Sequence, residues 1–144
     1  PIPYEQKYKY SCGPAAVKQV YEMLGVKFME ERLMAELQTD YNGTNWQQIF
    51  EHFVDNGFQT DLYGNCTYEE LLEQYDCGPT IVGWMADWDG QPGGHYSVIG
   101  HMDEGKIVIS DPADGHIKEF SRDEWMSKWR DESGRKTFMV IHKQ

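Results

Sequence analysis

Apolar residues follow two different patterns along this chain of 144 residues. In the first half they recur at helical spacing; in the second they gather into short runs. From Gly13 to Leu24, the positions Ala16, Val17, Val20, Met23 and Leu24 mark one face of a helix, and Gly25 ends it. A second helix is predicted over Met29–Leu37. Thr44 and Gln47 have capping-box spacing ahead of Ile49, Phe50 and Phe53, with Asn56-Gly57 as the stop. Thr67 and Glu70 repeat that signal ahead of Leu71, Leu72 and Tyr75, and Gly78-Pro79 closes the helix. Phe58–Tyr63, Thr80–Met85, Tyr96–Gly100, Lys106–Ser110 and Thr137–His142 read as strands, the third and fourth joined by a hairpin turn at 102–105. Ser121 and Glu124 cap a last helix carrying Trp125 and Trp129. Residues 1–10 read as extended, and the Gly/Asp-rich stretch Ala86–Gly94 reads as a loop. The expectation is one α+β domain over residues 1–144, a helical lobe packed on an antiparallel sheet lobe.

Composition narrows the function classes. Twenty aromatic residues (Trp 5, Tyr 9, Phe 6) argue for an ordered core. A formal charge of −11 argues against a nucleic-acid binder, which carries a basic stripe, and against attraction to anionic lipid. That charge either keeps the protein soluble or provides an acidic face for a basic peptide. No apolar run approaches the ~20 residues needed to span a bilayer, and no signal-peptide pattern is present. The chain begins at Pro1, so its N-terminus reads as trimmed, and cytoplasmic and secreted or cell-surface placements both stay open.

Cys12, Cys66 and Cys77 are too few and too odd in number for a disulfide scaffold, although Cys66 and Cys77 could pair. No zinc-ligand spacing exists, His95 and His101 lack supporting ligands, and neither a metal nor another cofactor is expected.

Candidate chemistry centres on Cys12. It stands where a helix begins, and a helix N-terminus favours the thiolate over the thiol. Gly13 permits close backbone approach, and Pro14 is tolerated in the first turn, where its missing N–H leaves no bond unmade. A thiol nucleophile needs a base, and the base an orienting group, both brought in by the fold. His95 opens the apolar run Gly94-His95-Tyr96-Ser97-Val98-Ile99-Gly100, and Asp111-Pro112 ends the next one. Adjacent strands would set imidazole and carboxylate side by side. Asp111 competes with Asp114, which reads as a turn residue. Gln6, six residues before the cysteine, becomes a candidate oxyanion donor only if it lies near Cys12.

The segments Gln6-x5-Cys12-Gly13-Pro14-Ala15-Ala16, Gly94–Gly100 and Ile107–Pro112, with Glu119-Phe120-x4-Trp125 near the end, resemble the C39 and C39-like cysteine peptidases. These are papain-like domains known at the front of bacteriocin-exporting transporters, where they cut leader peptides after a double glycine. The resemblance implies a papain-like fold, with Cys12 as nucleophile, His95 as general base and acid, Asp111 as orienting group and Gln6 as oxyanion donor. It further implies a peptide or protein substrate and association with an export system. Transporter-linked members carry an acidic residue just before the cysteine, where this chain has Ser11. Three activities suit such a site: peptide hydrolysis, transfer of the acyl group to another acceptor, and peptide binding without turnover.

Overall fold

The computed structural model describes residues 3–88 and 90–143. Three helices come first: α1 (Cys12–Met23), α2 (Glu30–Glu36) and α3 (Trp46–Asp55). Strand β1 (Thr60–Tyr63) and helix α4 (Tyr68–Tyr75) follow. The long hairpin β2 (Thr80–Trp88) and β3 (Gln91–Met102) leads into β4 (Lys106–Asp111) and β5 (His116–Ser121). Helix α5 (Arg122–Lys128) and strand β6 (Phe138–Ile141) end the fold. All six strands form one antiparallel sheet in the order β1-β6-β2-β3-β4-β5.

The sheet has a core on each face. Strand β6 lies between β1 and β2, and its four residues Phe-Met-Val-Ile are all buried. Alternation sends Met139 and Ile141 into the core shared with α1, α2 and α3, where they join Ile81, Val98, Val20, Leu33 and Phe53. Phe138 and Val140 enter the opposite core with Tyr68 and Leu71 of α4, Trp125, and Trp129 just beyond α5. The α+β class therefore holds, with one refinement: α1–α3 cover one face of the sheet, while α4 and α5 cover the other.

Several expectations change. The predicted loop Ala86–Gly94 is mostly hairpin, with Ala86 paired to Gly93, Asp87 to Pro92 and Trp88 to Gln91; Asp89 lies outside the described residues. Ladder bonds hold this stretch, whereas the side-chain pattern was all that composition could report. Strand β5 was not anticipated. It is an edge strand whose Lys118 and Glu119 interrupt any apolar alternation, as edges commonly do. The capping box of α3 uses Asn45 and Gln48, not Thr44 and Gln47. Thr44 is engaged elsewhere: its hydroxyl bonds that of Thr39 at 2.7 Å, and its backbone carbonyl accepts from the Tyr96 hydroxyl at 2.7 Å.

The segment before α1 is extended only to Gln6, and bends and a turn follow over residues 7–10; Pro1 lies outside the described residues. Glu30, buried at the start of α2, accepts from Tyr4 Oη at 2.7 Å and from the Lys7 backbone N–H. The Gln6 N–H donates to the Pro112 carbonyl at 2.7 Å. These bonds bring the N-terminal segment against the end of β4.

Candidate active site

Cys12 is the first residue of α1. Ser11 occupies the N-cap, but its hydroxyl turns away from the helix, donating to the Tyr8 carbonyl at 2.9 Å and accepting from the Tyr8 N–H at 3.0 Å. The first N–H groups of α1 thus have no side-chain cap, the arrangement that lets a helix start face an anion. Pro14 is accommodated in that first turn.

Gly13 has a geometric reason. A Cβ there would stand 2.9 Å from both Cβ and Oγ1 of Thr44, closer than packed side chains tolerate. Thr44 is short and β-branched and is held by Thr39 and Tyr96, so it cannot swing aside. Gly13→Ala should therefore destabilise the protein by about 1–3 kcal/mol as the Thr44 loop is pushed off α1. Thermal unfolding measures this, and an unchanged midpoint would show that the loop yields freely.

His95 stands on β3 directly across from Trp84 on β2. The two rings meet edge to face at 5.6 Å, and the imidazole is fully shielded from solvent. Its Nε2 is hydrogen-bonded to Asp111 Oδ1 at the end of β4. The Cys12 thiol is a further partner of the His95 ring. Burial alone would push the imidazole towards neutrality, but the bonds to Asp111 and Cys12 outweigh it and raise its pKa to about 9. For Asp111, burial opposes ionisation, while the bond and charge of His95, then Lys118 and the Ala113 N–H, bring its pKa down to about 2.

The structure thus joins Cys12, His95 and Asp111 in one chain of contacts. Asp114 is a turn residue as expected, its carboxylate accepting from the His116 N–H at 3.0 Å. Other histidines serve elsewhere: His52 bonds the Tyr21 hydroxyl, His142 bonds Asp61, and His101 and His116 are exposed. All three cysteines are free, with Cys66 partly buried and Cys77 exposed.

Gln6 is placed differently from the simplest expectation. Its Nε2 donates to the Tyr8 carbonyl at 2.7 Å and to the Lys9 carbonyl at 3.2 Å, so both amide hydrogens are directed at its own loop. Its Oε1 is buried without a hydrogen-bond partner among the described residues.

Two polar contacts around the site had little sequence signal. Lys118 on β5 donates to Asp111 Oδ2 at 2.6 Å. Gln19, buried in α1, donates to the Ser110 hydroxyl at 2.5 Å and so ties the cysteine helix to the strand carrying Asp111. A polar residue within the apolar stripe of α1 was the one hint available for Gln19.

Cys12 and His95 open onto a cleft of 620 Å³. One wall is the loop Asn42–Trp46, the other the turn Arg130–Arg135, and Gly83, Trp84 and Gly94 lie between. Trp46 is seated on Gly83, where a Cβ would come within 2.8 Å of the indole, and it packs edge-on against Tyr96 at 4.8 Å. The opposite turn is closed by Asp131 Oδ1, which accepts from the N–H groups of Ser133 and Arg135. Both walls are braced from within.

Helices on both faces of one antiparallel sheet, with cysteine, histidine and aspartate in contact beside a cleft, make a papain-like α+β domain. The chain belongs to the peptidase C39 family, whose model matches residues 3–133. An uncharacterized protein of Methanothermobacter thermautotrophicus is 30% identical over 112 residues, covering 78% of this chain and 72% of the relative. Among solved structures, the peptidase domain of Streptococcus ComA, a bifunctional ABC transporter involved in quorum sensing, aligns with a TM-score of 0.77 at 23% identity, covering 98% of this chain and 97% of that one. A double glycine motif protease from an AMS/PCAT transporter, solved with its leader peptide, aligns with a TM-score of 0.75 at 16% identity, covering 97% and 89%. At those identities the likeness is one of fold.

Proposed function

We propose that this protein is a cysteine peptidase in which Cys12 is the nucleophile, His95 the general base and acid, and Asp111 the orienting group. The observation that carries this reading is the continuous contact from Cys12 through His95 to Asp111 at the base of the 620 Å³ cleft. His95 takes the thiol proton, and the sulfur attacks the carbonyl carbon of the scissile bond. The oxyanion meets the uncapped N–H of the Cys12 helix start. His95 then delivers its proton to the leaving amine, and water cleaves the thioester with His95 again as base.

The cleft suits an extended peptide, with aromatic Trp46 and Tyr96 on one side and the charged Arg130–Arg135 turn on the other. Leader-peptide processing is the proposed role, in line with the named activity of the transporter-linked neighbour. Incubation with peptides that contain or lack a double glycine, with mass spectrometry of the products, tests it. Cleavage after the glycine pair, absent in Cys12→Ala, is the expected result; cleavage indifferent to the glycines would sink the leader assignment.

Gln6 is the proposed second oxyanion donor. Serving an oxyanion requires Nε2 to give up one of its two loop bonds, the longer of which runs 3.2 Å to the Lys9 carbonyl. Gln6→Ala should then lower kcat by about 10²-fold with KM nearly constant. A drop in melting temperature with kcat preserved would instead make Gln6 a brace for the 6–9 loop.

A further inference from the structure

Asp111 is contacted by more than the histidine. Oδ1 receives His95 Nε2 and the Ala113 N–H, the latter at 2.9 Å, whereas Oδ2 receives Lys118 Nζ at 2.6 Å. The carboxylate is almost fully buried, and the Lys118 side chain is one-third exposed. Register explains the meeting. Lys118 stands opposite Ile109 on the neighbouring strand, and Asp111 is two residues on from Ile109, hence on the same face of the sheet. Lys118 Nζ also lies 3.1 Å from Asp114 Oδ2, which holds the ammonium from the solvent side.

We infer that Lys118 is a positioning residue for the site: bonded to Oδ2, it acts through Asp111 and offsets the carboxylate charge that His95 faces. This inference rests on the peptidase reading of the same residues. Without the ammonium, Oδ2 loses its partner, while His95 and the Ala113 N–H still hold Oδ1. An uncompensated carboxylate also binds the imidazole proton more tightly, so His95 becomes a poorer acid towards the leaving amine. Lys118 sets the balance between a ring held in place and a ring that still gives up its proton.

The charged groups around His95 are few. Cys12 faces it from α1 and Asp111 from β4, and the neighbour from β2 is the uncharged indole of Trp84. Lys118 acts from β5 through Asp111. Beyond it, Asp114 lies 3.6 Å from the ring of exposed His116. Asp87 and Lys128 line a separate cavity of 280 Å³ together with Asp111 and Lys118.

The two possible roles of Lys118 move the His95 titration in opposite directions. Proton NMR of the full chain reads it, with His95→Ala to assign the signal. In Lys118→Met the midpoint should rise by about one pH unit, because a neighbouring cation is gone. If Lys118 merely supported the structure, the midpoint would fall towards that of a free histidine as the pair with Asp111 loosened. Lys118→Arg should restore the wild-type value. Cys12 alkylation by iodoacetamide at pH 6 is followed in parallel and needs no substrate. A His95→Ala variant alkylated as fast as wild type would overturn the peptidase reading and this inference with it. If His95→Ala slows alkylation but Lys118→Met leaves the His95 midpoint in place or lowers it, only the assignment of Lys118 falls.

Discussion

Cys12→Ala should abolish peptide cleavage down to the uncatalysed background while leaving the fold in place. The sulfur supplies the bond-forming electron pair, and among the described residues Cys12 is the thiol partnered with His95. Little packing is lost, since Cys12 lines the cleft with 9% exposure, and Ala15, Ala16 and Val17 behind it are fully buried in the core. Circular dichroism and melting temperature should stay close to wild type. A second signature separates loss of chemistry from loss of structure. The bond to Cys12 is among the contacts that raise the His95 pKa, so its titration should move down in the variant. Cleavage at the wild-type rate by purified Cys12→Ala would refute the mechanism.

The histidine and aspartate were legible as a candidate pair because each stands at one end of a short apolar run. The apolar residues of Gly94–Gly100 and Lys106–Ser110 enter the cores on both faces, so pairing them was the natural fold, and the pair carries His95 and Asp111 into contact. The start of α1 was legible for a different reason. Cys12-Gly13-Pro14 makes little sense as ordinary helix and good sense where the backbone is approached closely, and Thr44 is the group that approaches.

What escaped the sequence lies where local pattern and tertiary demand diverge. Residues 44–48 hold two overlapping capping boxes, and local chemistry does not choose between them. The choice falls to Asn45 because Thr44 is held by Thr39 and by Tyr96, the latter fifty-two positions away in the chain. Strand β5 escaped because an edge strand has little core to fill: Ile117 is half exposed, and Lys118 serves a carboxylate on the next strand. Gln6 shows the converse. Its spacing to Cys12 singled it out, but its amide is directed at carbonyls of its own loop, an arrangement that spacing does not reveal.

His95→Ala should lower kcat by about 10²–10⁴-fold, the range for removing a general acid and base, and should also change how stability depends on pH. In the wild type, the His95 pKa is raised to about 9 in the folded state. A raised histidine contributes stability that is complete below the unfolded pKa of about 6.5 and is lost as pH climbs through the folded value. The wild type should therefore lose stability between roughly pH 6.5 and 9. Asp111 acts at the other end. Its pKa is lowered to about 2, so its contribution is present above the ordinary carboxylate value of about 4 and disappears as pH falls through 2. Removing the imidazole should flatten the alkaline slope, since the group that releases its proton there is gone. The variant should also be less stable at pH 6, because Asp111 stays buried with only Lys118 and the Ala113 N–H for partners. Chemical denaturation at intervals from pH 5 to pH 10 measures both effects. If wild type and variant keep parallel profiles above pH 6.5, His95 is not held protonated in the folded protein.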